Sequence, residues 1–256
     1  MPSSVSTPAE PVLPWLTPGE PFPSTQSAWP AFSPAPGLLA AGGALDVVTL
    51  TAAYTHGIFP WFSADQPILW WSTAPRMVLP TADFVLSASL RKQLRRLLRQ
   101  QTLELRIDSA FERVIRACAH SPRPGQSGTW ITEDMIRAYV ELHQAGHAHS
   151  VETWINDTLV GGLYAVSVGR MVYGESMFSN VSNASKMALA GLVAHCRAHD
   201  MPTIDCQQQT PHLASMGATP IPRSEFENLL TTLTRQTPAS WRFEPANWQN
   251  VLGDSA

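Results

Sequence analysis

Two rhythms of apolar and polar positions divide this chain. Between Ser87 and Gln101 the leucines at 90, 94, 97 and 98 recur at helical spacing. Arg91, Lys92, Arg95, Arg96 and Arg99 cover the opposite face, so the segment predicts an amphipathic helix. A shorter helix is predicted over Val47–His56, with Asp46 as its N-cap and Gly57 as its stop. Ser109-Ala110-Phe111-Glu112 reads as a capping box that opens a third helix, with Phe111, Val114, Ile115 and Cys118 inward. Thr132 caps a fourth, which Gly146 ends, and Ile131 and Ile136 hold the positions of a hydrophobic staple. Leu103–Ile107 alternates as a strand. After His147 the period falls to two, and Ala148–Ile155, Thr158–Val168 and Met171–Glu175 predict an antiparallel meander joined at Asn156-Asp157 and Gly169-Arg170. A long helix over Ser185–His199, a strand over Thr203–Gln207 and a last helix over Glu225–Arg235 follow. The order predicts an α+β protein with helices packed on a mainly antiparallel sheet.

The front of the chain is patterned differently. Residues 1–36 are dense in Pro, Ser and Thr, which predicts an extended or flexible arm, tacked to the body by Trp15, Phe22, Trp29 and Phe32. From 37 to 83 short apolar runs, Ile58-Phe59-Pro60-Trp61-Phe62 and Ile68-Leu69-Trp70-Trp71, predict short strands or aromatic loops in a small N-terminal domain. The segment His120–Gly128 predicts a Pro/Gly loop. A second, larger domain is expected over 84–256.

Composition narrows the picture. With 44% apolar and 14% charged residues the chain can build a core, and a net charge of −3 provides no global field to attract nucleic acid. Any RNA contact needs a local patch, and Arg91–Arg99 is the candidate. The three cysteines form no CxxC pair, which suits a reducing compartment and disfavours a structural zinc site. No apolar run reaches the roughly 20 residues of a membrane span, and the N-terminus does not read as a secretory signal, so a cytoplasmic protein is expected.

Candidate chemistry is sparse. Glu175 and Asp205 lie near strand ends, and a carboxylate in an apolar strand such as Thr203-Ile204-Asp205-Cys206-Gln207 needs a partner or takes a raised pKa. His147 and His149 share a sheet face, with no third ligand at a metal spacing. Gly161-Gly162 inside a strand marks either a close ligand or close packing. Trp61, Trp70, Trp71 and Trp130 belong to the core or, if exposed, make stacking platforms for bases. P-loop, Rossmann, Gly-x-Ser-x-Gly and His-Glu-x-x-His motifs are missing, which disfavours nucleotide hydrolysis, nicotinamide chemistry and zinc proteolysis.

Taken together, Gly37–Leu45, Gly57-Ile58-Phe59-Pro60-Trp61-Phe62, Pro67–Ser72, Gly128–Thr132, Gly146–Glu152, Leu159–Tyr164, Gly174–Ser179, Asn183–Lys186, Ile204–Gln207 and His212–Ala218 resemble, block by block and in order, the bacterial leucyl/phenylalanyl-tRNA–protein transferases. The resemblance covers about residues 37–226; the Pro-rich arm and the tail after about Thr237 are unmatched. It implies a C-terminal domain similar to the GCN5-related acetyltransferases behind the small N-terminal one. It also implies an aminoacyl-tRNA donor, because Gly174-Glu175-Ser176-Met177-Phe178 stands where acyl-CoA enzymes carry a pyrophosphate loop.

The implied reaction moves Leu or Phe, less readily Met, from the tRNA 3′ adenosine to the N-terminal Arg or Lys of an acceptor protein, marking it for N-degron proteolysis. An ester is already activated, so no cofactor, metal or ATP is expected, and neither DNA nor a membrane is an expected partner. By resemblance Asp205 and Gln207, which strand alternation puts on one face, polarise the incoming amine, and Glu175 lines the acceptor pocket or helps hold the amine. Trp61 and Trp130 sandwich the terminal adenine, while Leu163, Met177 and Ile204 line a pocket for the Leu or Phe side chain. Arg91, Arg95 and Arg96 take acceptor-stem phosphates. Two rival readings are an acyl-CoA-dependent N-acyltransferase on the same fold and a non-enzymatic RNA-binding module.

Overall fold

A computed structural model describes residues 12–121 and 129–253. The chain begins with β1 (Trp15–Leu16), β2 (Leu38–Gly42), α1 (Val47–Thr55), β3 (Phe59–Pro60), β4 (Leu69–Trp71) and β5 (Arg76–Pro80). It continues through α2 (Ala88–Arg99), β6 (Leu103–Ile107), α3 (Phe111–His120), α4 (Glu133–Gln144), β7 (Ala148–Ile155), β8 (Thr158–Val168) and β9 (Met171–Ser179). It closes with α5 (Ala184–Ala198), β10 (Thr203–Gln207), α6 (Pro211–Ala214), β11 (Thr219–Ile221), α7 (Arg223–Leu233) and α8 (Gln249–Leu252).

Four short strands form an N-terminal sheet in the order β1-β2-β4-β3, and seven form the main sheet, β11-β5-β10-β9-β8-β7-β6. Every pairing in the main sheet is antiparallel except β9 with β10. β5 precedes the boundary expected at residue 84, yet it is an inner strand of the main sheet. One face of that sheet carries a core shared with the N-terminal part, α1, α3, α4 and α7, centred on Tyr54, Trp70, Tyr139, Tyr164, Tyr173 and Phe226. The other face carries α2, α5 and α8 over Leu163, Val172, Ile204, Met187 and Val193.

Most elements form where their patterns predict. Asp46 caps α1 by accepting from the Thr49 N–H, and Ser87 and Thr132 cap α2 and α4 in the same way. Asn156 and Asp157 both take positive φ at the β7–β8 turn, as a tight hairpin requires. The third helix differs. Ser109 makes no cap: its hydroxyl donates to the buried Glu152 carboxylate, which also accepts from the Ala110 N–H at 2.7 Å, Ser150 Oγ at 2.7 Å and Trp154 Nε1 at 2.9 Å. A buried charge needing four donors outbids a helix end that water can satisfy.

The described part of the arm is anchored to the body. β1 pairs in parallel with β2, Phe22 meets the Trp70 ring edge-on, and Thr25 and Gln26 donate to Glu227. Trp15 is largely exposed but pairs with Ala41 through its backbone and lays its indole against Gly42, whereas Phe32 stays exposed. Of the Pro/Gly loop predicted at 120–128, residues 122–128 lie outside the described residues.

Packing accounts for Gly161. A Cβ there would sit 2.4 Å from Ala184 Cβ and 2.8 Å from the Ala184 carbonyl carbon, where α5 begins against β8. Gly161→Ala should therefore destabilise the fold by about 1–3 kcal/mol, the usual cost of overpacking, as a lowered denaturation midpoint with unchanged m-value.

Candidate active site

Where β9 and β10 part, the sheet opens. Their pairing covers only Ile204↔Val172 and Asp205↔Tyr173. Beyond it both strands become irregular. A bulge in β9 falls at Glu175, between the pairs Ala165↔Gly174 and Tyr164↔Ser176. A second breaks the β10–β5 register between Asp205 and Gln207, where Gln207 takes φ +54°. The two bulges aim Glu175 and Gln207 at each other across the opening, and Gln207 Nε2 donates to Glu175 Oε1 at 3.3 Å.

A cleft of about 180 Å³ lies over this pair, lined by Phe59, Pro60, Trp61, Trp130, Glu175, Cys206, Gln207 and Gln208. Trp61 and Trp130 are half-buried, with their bodies against the first core. Trp61 is held from behind by Trp71, whose ring centroid is 5.3 Å away and whose Nε1 donates to the Trp61 carbonyl at 2.6 Å. Both tryptophans thus occupy the rim, where a planar ligand can reach their faces.

Beneath the cleft floor sits a buried ion pair. Arg76 Nε donates to Asp205 Oδ1 at 2.8 Å and Nη2 to Oδ2 at 2.6 Å, with both residues 0% exposed. Arg76 Nη1 donates to the Gly57 carbonyl at 3.0 Å, and its guanidinium lies between the rings of Phe59 and Phe226, 4.8 and 4.6 Å from their centroids. Asp205 Oδ1 also accepts the Gln207 backbone N–H at 2.9 Å, and Thr73 Oγ1 donates to the Gln207 carbonyl at 3.0 Å. Asp205 and Gln207 differ in depth: Asp205 is fully buried under the floor beside Arg76 and Phe59, Gln207 reaches the cleft lined by Phe59, Trp61 and Trp130, and Cys206 between them also packs against the second core. Burial pushes the Cys206 thiol above its ordinary range. The Glu175 carboxyl is pushed up to about 8, chiefly by burial, with the Tyr54 and Tyr139 hydroxyls opposing the rise.

Three other groups of expected residues stand elsewhere. Leu163 and Met177 are direct cross-strand partners, and they and Ile204 face the second core, on the far side of the sheet from Asp205. On α2, Arg91 donates to the Val251 and Leu252 carbonyls and Arg95 to the Leu252 carbonyl, so both close the end of α8 and are half-buried. Arg96 is exposed, beside Lys92 and Arg99 on the same helix. His149 hydrogen-bonds Asp108 at 2.7 Å and stacks on Trp241 with centroids 4.0 Å apart. Among the described residues no group of three or more His, Cys, Asp or Glu could hold a metal ion, and no helix is long and apolar enough to cross a membrane.

Sequence reasoning missed Arg76, Tyr54 and Tyr139. For Arg76 a signal existed: one charge heads the apolar run Met77-Val78-Leu79, as one charge interrupts Ile204-Asp205-Cys206. Two lone opposite charges in strands predict each other, since burying either alone is costly.

Residues 78–231 match the family model described as leucyl/phenylalanyl-tRNA protein transferase, and residues 43–74 match that of its N-terminal domain. The chain belongs to this family. The family is one of aminoacyltransferase enzymes. The chain is 58% identical over 240 residues to the leucyl/phenylalanyl-tRNA–protein transferase of Polaromonas sp., covering 94% of each chain. It is 57% identical to that of Albidiferax ferrireducens, covering 94% of this chain and 95% of the other, and 54% identical to that of Leptothrix cholodnii, covering 95% and 96%. Alignments of this length reach into the arm and tail that the sequence blocks left unmatched. Among solved structures, the C-terminal DUF2156 domain of a putative lysylphosphatidylglycerol synthetase from Agrobacterium fabrum covers 83% of this chain and 64% of that chain at 10% identity. Its TM-score of 0.35 is too low to assign the family's fold from it.

Two stability effects follow from the Asp205 and Glu175 carboxyls, the first fully buried and the second half-buried at the cleft. Asp205→Asn leaves the Arg76 guanidinium buried without its counter-charge and should cost about 3–5 kcal/mol by denaturant unfolding. Glu175 behaves oppositely. Its folded pKa lies above the ordinary value of 4.5, so its favourable contribution is fully present below about 4.5 and is lost as pH rises through about 8. Glu175→Gln, which is never charged, should therefore gain stability relative to the parent between pH 5 and pH 9 when urea midpoints are compared.

Proposed function

We propose that this protein transfers Leu or Phe from aminoacyl-tRNA to the α-amine of an acceptor protein's N-terminal Arg or Lys, on a C-terminal domain of the acetyltransferase type. The observation that carries the reading is the juxtaposition, in a chain of this family, of two rim tryptophans with a Glu–Gln pair where two strands part. Such a cleft suits a 3′-terminal adenosine between the indoles, with its ester at the floor.

The chemistry is attack of the amine nitrogen on the ester carbonyl, followed by departure of the ribose oxygen with a proton. The enzyme has to orient the two reactants, keep the amine uncharged and stabilise a transient oxyanion. Gln207 offers an amide at the cleft floor, able to donate to the oxyanion or accept from the amine. Glu175, ionised, accepts the proton that the amine sheds. Asp205 does not touch the cleft. It is a positioning residue: through Arg76 and the Gln207 N–H it fixes the turn on which Gln207 stands. The transferred side chain is directed between the diverging strands toward Leu163, Met177 and Ile204, and Met177 adapts to either Leu or Phe. On α2 the phosphate contacts fall to Arg96, with Lys92 and Arg99, since Arg91 and Arg95 are engaged with α8.

The decisive experiment mixes the protein with labelled Leu-tRNA and an Arg-initiated peptide. Label in the peptide supports the transferase. Tight binding with label left on the tRNA supports an RNA-binding module, and transfer from an acyl-CoA alone supports the acyl-CoA enzyme. The rim is tested by Trp61→Ala and Trp130→Ala. Each should fold and lose about 1–3 kcal/mol of affinity for a 3′-aminoacyl-adenosine fragment, with Phe restoring most of it. Core tryptophans would instead cost about 3–5 kcal/mol of stability and leave fragment binding by the folded protein unchanged.

A further inference from the structure

Gln207 stands on an unusual piece of backbone. Its φ of +54° lies in the left-handed region that a residue with a side chain rarely enters. The Gln208 N–H donates back to the Cys206 carbonyl at 2.6 Å, so Gln207 is the middle residue of a three-residue turn. Such a conformation persists only where its surroundings over-determine it. The β10–β5 register breaks at this point, so regular pairing alone does not set it. Two side chains supply the further constraint. Asp205 Oδ1 accepts the Gln207 N–H at 2.9 Å, and Thr73 Oγ1 donates to the Gln207 carbonyl at 3.0 Å.

Thr73 is a firm support because the connection between β4 and β5 that carries it is clasped on both sides. The residue before it, Ser72, is buried, and its N–H donates to the Gly37 carbonyl at 2.8 Å. Arg223, the first residue of α7, donates from Nη1 to Ser72 Oγ at 2.6 Å and from Nη2 to the Ser72 carbonyl at 2.8 Å. Gly37, at φ +89°, lies so close that a Cβ on it would sit 3.0 Å from Thr73 Cα and 3.1 Å from Thr73 Cγ2. The same connection then delivers Arg76 to Asp205. Residues 73–76 thus secure Gln207 twice, its carbonyl through Thr73 and its N–H through Arg76 and Asp205.

We propose that Thr73 is a positioning residue of the aminoacyl transfer, its hydroxyl holding the Gln207 carbonyl and with it the direction in which the Gln207 amide enters the cleft. This rests on the transferase reading above. Without that donor the turn relaxes toward an ordinary φ, and the amide swings away from Glu175 and from the ester at the floor. Small displacements of a positioned group are costly in rate, because the reacting geometry is narrow. Thr73 is not among the residues that line the cleft, so its hydroxyl acts on the rate of transfer and not on binding of the donor.

The test uses the full chain. Thr73→Val keeps the shape of the side chain beside Gly37 and removes the donor, while Thr73→Ser keeps the donor. At saturating Leu-tRNA and Arg-initiated peptide, the single-turnover rate should fall about tenfold in Thr73→Val, with the Kd for Leu-tRNA unchanged, and return most of the way in Thr73→Ser. Thr73→Ala, which removes the donor without adding a contact, should lower the rate by a similar factor. The fall should vanish when Thr73→Val is placed on Gln207→Ala, since residues that act through one group are not additive. A Thr73→Val rate equal to the parent's overturns the proposal. So does a tenfold loss that persists in the Gln207→Ala background, which marks a merely structural role. A second readout needs no substrate: the ¹⁵N–¹H signals of the Gln207 side-chain amide, assigned by their loss in Gln207→Ala, should shift in Thr73→Val and return in Thr73→Ser. If the parent transfers nothing from Leu-tRNA, the transferase reading fails, while an amide signal unmoved in Thr73→Val separately overturns the support given by Thr73.

Discussion

The Arg76–Asp205 pair is the constraint around which the site is organised. Two charges taken wholly out of water are tolerable only with good geometry and with their remaining donors and acceptors filled. Here they are filled by parts of the chain far apart in sequence: the Gly57 carbonyl at the end of α1, the Phe59 and Phe226 faces, and the Gln207 backbone N–H. Meeting the needs of one guanidinium therefore docks the N-terminal part, β5, β10 and α7 together. Gly57 shows how tight this junction is. Its φ is +71°, and a Cβ on it would lie 2.7 Å from the Phe226 ring and 2.8 Å from Leu230. The same ion pair fixes Asp205 at the last regular position of β10, so the strand's departure begins at a defined residue.

That departure produces the cleft. A parallel pair flanked by antiparallel neighbours can end without exposing a long edge if each strand bulges away. β9 does so at Glu175 and β10 between Asp205 and Gln207. The backbone groups freed there are what an incoming substrate can meet, and the two side chains displaced by the bulges become the polar floor. Hydrophobic burial on both faces of the sheet keeps the opening local. Tyr173 and Tyr164 continue into one core, and Val172 and Leu163 into the other.

Periodicity exposed the scaffold because most elements here are amphipathic over several turns or several strand residues. The leucine stripe of α2, the caps of α1 and α4 and the tight turn at Asn156-Asp157 each have local causes, and local causes are visible in sequence. The site was legible only as a set of residue types. Strand alternation put Asp205 and Gln207 on one face; it could not show that Asp205 is buried under the floor with Arg76 while Gln207, past a bulge that has no sequence signature without a glycine, reaches the cleft. The arginine stripe read as one surface, yet two of its members are tied to carbonyls of the last helix, some 160 residues on. The Ser109 capping box failed to a buried glutamate 43 residues away. In each case a distant polar group with fewer ways to be satisfied won over a local rule. The rule that would have found Arg76 is of the same non-local kind.

Charge balance at the cleft floor bears on how one small site could take both a polyanionic donor and a cationic acceptor. The Arg76–Asp205 pair sums to zero, and Glu175, raised to about 8, is mostly uncharged near neutral pH. A neutral floor does not repel the ester end of a tRNA or an oxyanion forming on it. Once an amine enters as its conjugate acid, its positive charge favours ionisation of the nearby carboxyl, since opposite charges within a few ångströms lower a carboxyl pKa. Before they meet, the two groups have similar proton affinities, since an α-amine titrates near 8 as well. Groups that start from similar affinities exchange a proton with a smaller driving-force loss than an ordinary carboxylate and an amine would. A fixed carboxylate would bind the ammonium form tightly and leave it unreactive. A carboxyl held nearly neutral by burial, but with an amide donor ready for its anion, can bind the amine and release it as a nucleophile.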